Sequence, residues 1–278
     1  MKVGDLVGEG ARAFTRRDGL PDPTREARWL LARALARTEA WVLAHPDEPV
    51  AEGVEELFRA WLLRRAAGEP AHYIVGSCPF WGRAFAVTPA VLIPRPETEL
   101  IVECALTLDG PPRPRVLDVG TGSGCIAVTL ALELPGAEVV ATDLSLAAVE
   151  VARRNARALG AATRFAAGDL ANHLRGPFDL VVANLPYVPE RDMPTLPIEI
   201  AAHEPRLALV GGEHGTDLLA PFVADLPGLL APEGHVLLEV GAAQRALLAG
   251  AIAAAGLTEV HRGLDHAGIE RILVLRRQ

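Results

Sequence analysis

The sequence predicts an α/β fold, a mostly parallel sheet covered on both faces and preceded by a small all-helical domain. Three observations carry that prediction. From Arg115 onward, short apolar segments of strand length alternate with segments of helical spacing, the rhythm of a parallel sheet with crossover helices. Within that rhythm, Phe178-Asp179-Leu180-Val181-Val182-Ala183 is a nearly continuous apolar run rich in β-branched residues, the mark of a strand buried on both sides. Residues 1–75, by contrast, show the helical period alone.

In the helical segment, Pro23-Thr24-Arg25-Glu26 offers a helix start with Thr24 as cap, and Leu30, Leu31, Ala34 and Leu35 follow at helical spacing. Trp41-Val42-Leu43 continue the apolar pattern up to Pro46. A further helix is expected over residues 50–67, with Val54, Leu57, Phe58, Trp61 and Leu62 on one face and Gly68-Glu69-Pro70 closing it. No catalytic constellation lies in this bundle, so it serves as a structural cap or as a docking module for a partner.

Residues 76–96 change character. The break at Gly82, between Phe80-Trp81 and Phe85, predicts a hairpin. Val91-Leu92-Ile93 then enters Pro94-Arg95-Pro96-Glu97-Thr98-Glu99, where two prolines stiffen the chain and Thr98 or a nearby acid can cap a helix over residues 100–108. After a proline-rich loop, strands are expected over residues 115–119, 137–142, 163–167, 178–183, 235–240, 257–261 and 269–275. Helices are expected over 123–134, 145–159, 216–230 and 242–255. The domain plan is therefore a helical domain over 1–75, a hairpin linker over 76–96 and a seven-stranded sheet domain over 97–278.

A length of 278 residues agrees with about two domains at ~150 residues each. Half the residues are hydrophobic, enough for a sizeable core. The formal net charge of −8 argues against a nucleic-acid-binding surface, which needs a basic footprint. Lys2 is the only lysine, so 26 of the 27 basic residues are arginine, which codon bias explains. Cys78, Cys104 and Cys125 show neither paired nor metal-type spacing, and the histidines are scattered, so no metal site is expected. No apolar run approaches the ~18–20 residues of a membrane span, and the first residues lack the apolar centre of a secretory signal. The expectation is a soluble, cytoplasmic, monomeric protein.

Four strand ends carry chemistry. Asp118-Val119-Gly120-Thr121-Gly122-Ser123-Gly124 ends one strand and opens a helix, where glycines let backbone pass close to a ligand and free amides point at it. A dinucleotide fingerprint needs a glycine where Cys125 stands; the G-x-G-x-G spacing favours S-adenosylmethionine, which has no pyrophosphate to cradle. Asp143 ends the next strand, placed to accept hydrogen bonds from ribose hydroxyls, and Gly168-Asp169-Leu170 follows the third strand, where adenine would lie. Asn184-Leu185-Pro186-Tyr187 ends the run beginning at Phe178. It presents an amide side chain, a carbonyl restrained by Pro186 and an aromatic ring, groups able to bind a planar amide or amino group.

In these turns the chain resembles the amino methyltransferases that use an Asn-Pro-Pro-Tyr-type motif. Within them it is most similar to the bacterial release-factor glutamine methyltransferases. The closer likeness rests on Gly68-Glu69-Pro70-Ala71-His72-Tyr73-Ile74-Val75-Gly76, on Phe80-Trp81-Gly82 through the Pro-Arg-Pro-Glu-Thr-Glu run, on His203-Glu204-Pro205-Arg206-Leu207-Ala208-Leu209 and on Gly211-Gly212-Glu213-His214-Gly215. It spans residues 24–275, with Leu185 where the family most often has proline. The resemblance implies a Rossmann-like class I methyltransferase fold, S-adenosylmethionine as methyl donor, and the glutamine of a Gly-Gly-Gln loop in release factors as substrate. It assigns the donor to Gly120, Thr121, Gly122, Ser123, Gly124, Asp143, Asp169, Leu170 and Asn184. It assigns the substrate amide to the Asn184 side chain and the Leu185 carbonyl, with Pro186 and Tyr187 shaping that subsite and Tyr187 counted with Asn184 as catalytic. The helical domain would help hold the release factor. A ribosomal-protein glutamine methyltransferase and a nucleic-acid adenine methyltransferase are the alternatives, since an adenine amino group offers the same two hydrogens.

Overall fold

The computed structural model describes residues 1–15, 22–242 and 244–277. The helical expectation for residues 16–21, position 243 of the helix expected over 242–255, and residue 278 fall outside them. The chain divides into two compact units, one of Met1–Gly76 with Pro197–His203 and one of Ser77–Leu196 with Glu204–Gln278.

The smaller unit is helical. It holds α1 (Val3–Phe14), α2 (Pro23–Ala34), α3 (Glu39–Ala44), α4 (Glu52–Ala66) and α5 (Ala71–Val75), and it also takes in the short helix Ile198–His203. Asp22, not Thr24, caps α2: its carboxylate accepts from the Arg25 amide at 2.9 Å, and Pro23 occupies the first helical position, where a missing N–H costs nothing. Phe14, Leu30, Leu31, Phe58 and Leu62 form the centre of its core. Leu57, expected on the buried face of α4, is instead exposed, because the packed stripe runs through Phe58 and Leu62 one residue round the helix. Arg65 is only 4 % exposed and ties the unit together, bonding Glu26 at 2.5 Å and Glu199 at 2.9 Å.

The larger unit opens with the hairpin β1 (Ser77–Phe80) and β2 (Arg83–Ala86), turning on Trp81 and Gly82, both at positive φ. That is the turn whose twist matches paired strands. There follow α6 (Glu99–Thr107), β3 (Arg115–Val119), α7 (Cys125–Glu133), β4 (Glu138–Asp143), α8 (Leu146–Leu159), β5 (Thr163–Ala167) and β6 (Phe178–Ala183). After α9, the helix Ile198–His203 of the smaller unit, come α10 (Leu219–Asp225), β7 (Leu230–Glu239), α11 (Gln244–Ala254), β8 (Leu257–Leu264) and β9 (Glu270–Arg277). The seven-stranded sheet runs β5-β4-β3-β6-β7-β9-β8, with β9 antiparallel to both neighbours and the remaining pairs parallel. This is the class I methyltransferase arrangement.

Side chains along β6 alternate between two cores, Val181 and Ala183 on one face, Leu180 and Val182 on the other. That double burial is the reason for the unbroken apolar run. The expected helix over 216–230 is shorter than its leucines suggest. It ends at Asp225, a 3-10 turn follows over Leu226–Gly228 around Pro227, and Leu230 already pairs with Phe178 as the start of β7. Proline has no amide to continue a helix, so the strand begins before the expected position 235.

Candidate functional site

The strand order reverses between β3 and β6, the place where open α/β sheets leave a crevice beyond the strand ends. A cavity of about 290 Å³ opens there. Its wall brings together Gly120, Thr121, Gly122 and Ser123 after β3, Asp143 at the end of β4, Asp169 and Leu170 after β5, and Asn184, Leu185 and Pro186 after β6. Arg95 and Thr98 line it from the segment before α6. Gly124 and Tyr187 stand outside the lining. Gly124 begins α7 at a φ of 81°, and a β-carbon on it would come within 3.0 Å of the Ala152 β-carbon, so it serves the packing of α7 against α8.

The glycine turn is held from beneath and from the side. Asp118 is fully buried; its Oδ2 accepts from the Thr121 hydroxyl at 2.7 Å and the Ala127 amide at 3.2 Å, while Oδ1 has no partner. Burial pushes this carboxyl up to about 7. Asp143 accepts from the Gly122 amide on one oxygen and the Ser145 amide on the other, each at 2.8 Å. Burial raises its pKa and the two amide donors oppose the rise. Thus the residue expected to meet ribose hydroxyls also clamps two turns together, leaving its remaining lone pairs for a ligand. Asn155, buried in α8, donates to the Ser123 carbonyl at 2.8 Å and pairs with both backbone groups of Ala86, fastening the hairpin to the glycine turn.

Beyond β6, Leu185 lines the cavity and is 3 % exposed, its side chain packed into the core. The Tyr187 carbonyl accepts from Gln244 Nε2 at 2.7 Å; the same amide reaches the Gly215 carbonyl at 3.1 Å, and Gln244 Oε1 accepts from the Gly241 amide at 2.8 Å. Val188 and Gly211 pair backbone to backbone, and a β-carbon on Gly211 would sit 2.5 Å from the Pro186 carbonyl oxygen. The Gly-Gly-containing stretch is therefore a rail against which the turn lies. Glu204, from the His-Glu-Pro-Arg stretch, bonds Arg95 at 2.6 Å and the Ile93 amide at 3.2 Å, fixing the arginine at the cavity wall.

Thr98 makes no capping bond, contrary to the expectation that it caps α6. Its hydroxyl is already used. It donates to Glu239 Oε2 at 2.7 Å and accepts from Asn184 Nδ2 at 3.1 Å. Tyr187 donates its phenolic proton to the other Glu239 oxygen at 3.3 Å. Burial lifts the pKa of both Glu239 and Tyr187. The sequence alone does not single out Glu239. The signal was present, a lone acid closing the apolar strand Val236-Leu237-Leu238, but its partners lie far off in the chain.

Two family models match, "PrmC N-terminal domain" over residues 7–76 and "Methyltransferase small domain" over residues 97–205. The chain is 47 % identical to the release factor glutamine methyltransferase of Bordetella pertussis, over 90 % of this chain and 93 % of that one. It is 43 % identical to that of Cereibacter sphaeroides, over 93 % and 92 %. A crystal structure of a methyltransferase from Pyrococcus furiosus superposes with a TM-score of 0.53 at 18 % identity, covering 78 % of this chain and 96 % of that one, and shares its fold. Among the described residues, no helix is long and apolar enough to cross a membrane.

Proposed function

The chain belongs to the release factor glutamine methyltransferase family, and from that premise we propose its reaction: methyl transfer from S-adenosylmethionine to the side-chain amide nitrogen of the glutamine in a release-factor Gly-Gly-Gln loop. One observation carries the reading. Asn184, on the cavity wall, has committed its Nδ2 to Thr98, and its Oδ1 takes no hydrogen bond from a described residue. An acceptor is thereby left for an incoming NH₂ group.

The residues fit the donor. A β-carbon on Gly122 would meet nothing within 4 Å, so the turn shows bare backbone to the cavity. Gly120, Thr121, Gly122 and Ser123 would cradle the donor, Asp143 would take its ribose hydroxyls, and Asp169 and Leu170 would flank its adenine. Bound there, S-adenosylmethionine supplies an electrophilic methyl group on a sulfonium.

The chain's own contribution is positioning. A carboxamide nitrogen is a poor nucleophile because its lone pair is delocalised into the carbonyl. Asn184 Oδ1 and the Leu185 carbonyl each accept one of its hydrogens, fixing its direction of attack and stabilising the positive charge that grows on it. Orientation of this kind supplies up to ~7–11 kcal/mol. An ester or hydroxyl lacks the two donors and is rejected. Tyr187 walls the amide plane against water. The N-methylated amide formed by the transfer is a cation and strongly acidic, and it gives up its surplus proton to water as the product leaves the turn, so no side chain is required as base.

The helical unit is assigned to holding the release factor, and the protein works as a cytoplasmic monomer. The test is mass spectrometry of a purified release factor before and after incubation with enzyme and donor. One added methyl on the loop glutamine is expected, and an unmodified glutamine would overturn the reading. The docking role predicts a lower KM for the intact factor than for a short Gly-Gly-Gln peptide.

A further inference from the structure

Asn184 can serve as an acceptor for the substrate only if its side-chain amide is turned the right way round. Turned by 180°, it would present an NH₂ group to the glutamine NH₂, donor against donor. Nothing in an isolated asparagine prefers one orientation, so the surrounding groups must choose it.

The choice follows from counting protons. Glu239 closes β7 with 2 % exposure, and two hydroxyls converge on separate oxygens of its carboxylate, Thr98 on Oε2 at 2.7 Å and Tyr187 on Oε1 at 3.3 Å. An ionised carboxylate accepts only. The Thr98 hydroxyl has one proton, and Glu239 takes it. Toward Asn184 that hydroxyl has only lone pairs left, so Asn184 must face it with Nδ2, at 3.1 Å, and turn Oδ1 the other way. Burial, the largest effect, and the nearby Glu97 charge oppose ionisation of Glu239 and raise its pKa, while the Thr98 and Tyr187 hydroxyls and the Arg271 guanidinium favour the carboxylate.

We propose that Glu239 is a positioning residue for the methyl transfer: through Thr98 it sets the orientation of the Asn184 amide, and through Tyr187 it holds the other end of the same turn. Glu239 does not line the cavity, so its part is played through Thr98 and Tyr187. The inference rests on the methyltransferase reading above, and it gives the Pro-Arg-Pro-Glu-Thr-Glu stretch a task, since Thr98 is its relay.

The test uses the full-length enzyme with a Gly-Gly-Gln peptide, reading kcat and KM by turnover, donor Kd by calorimetry and folding by thermal melting. In Glu239→Met, a side chain of similar length whose thioether is only a weak acceptor, Thr98 is free to donate to Asn184 Oδ1 and reverse the amide. A loss of kcat of ~10²-fold is expected, the size found on removing a preorganised polar contact, with donor Kd changed far less. Thr98→Val should lower kcat likewise, and Thr98→Ser, which restores the hydroxyl, should recover most of the loss. If Glu239→Met does not fold, the Val and Ser pair decides. Wild-type turnover with kcat in Glu239→Met or Thr98→Val within about threefold of it would overturn the inference alone. A wild type that never methylates the peptide would overturn the methyltransferase reading and the inference with it.

Discussion

The Leu185 δ-methyl stands 2.9 Å from the point where a β-carbon on Gly120 would lie. The two residues end adjacent parallel strands, so the first glycine of the turn after β3 and the second residue of the turn after β6 are fitted to one another. Gly120 is also at a φ of 76°, in the left-handed region. Gly120→Ala is expected to destabilise the fold by about 1–3 kcal/mol from backbone strain alone, with a further steric cost. The steric part should vanish in a Leu185→Ala background. Chemical denaturation of the four proteins of that double-mutant cycle measures it, and additive costs would show that the two residues do not press on each other.

Asn184→Ala removes the acceptor on which the proposed reaction turns. A fall in kcat of ~10²-fold or more is expected, with donor affinity affected less. Steady-state turnover and a calorimetric titration check both halves, and equal turnover in variant and wild type would remove Asn184 from the chemistry.

Asp143→Asn bears on two functions at once. One carboxylate oxygen becomes an NH₂ group facing a backbone amide, Gly122 or Ser145, donor against donor. Both donor affinity and melting temperature should fall. Calorimetry with a parallel thermal melt checks this, and a loss of affinity at unchanged stability would limit Asp143 to ligand contact.

Asp118 gives the fold a pH dependence whose sign is fixed by its burial. Its ordinary value is 3.8 and the folded protein raises it to about 7. Between those values the folded chain keeps a proton that the unfolded chain has released. The Asp118 contribution to stability is therefore full below 3.8 and is lost as pH rises through about 7. Asp118→Asn carries no titrating proton, so its melting temperature should fall less steeply than that of the wild type over this window. Parallel slopes from thermal melts at stepped pH would show that the carboxyl is charged throughout.

Much of the sheet domain can be read from local sequence, because its strands are buried on both faces and its turns carry their glycines, acids and prolines in short runs. The Phe178 to Tyr187 stretch holds both a strand and its turn within ten residues. What escapes such reading is the set of side chains that meet across the fold. Thr98 precedes a helix and has the look of a cap, yet its hydroxyl belongs to Glu239, 141 residues away. Gln244 and Asn155 sit in ordinary helical patterns, and only the folded chain brings them to the Tyr187 and Ser123 carbonyls. Over residues 216–230 the difference is of another kind: leucine spacing predicts one long helix, and the chain turns at Pro227 instead.

The single carboxamide of Gln244 secures three backbone groups, at Tyr187, Gly215 and Gly241, using protein atoms alone. The bend proposed to receive the substrate is thus held before anything arrives, and its ordering entropy was spent when the chain folded. Deuterium uptake at the amides of Val188 and Gly211 should accordingly be slow in the ligand-free enzyme, and saturating it with donor should change that uptake little.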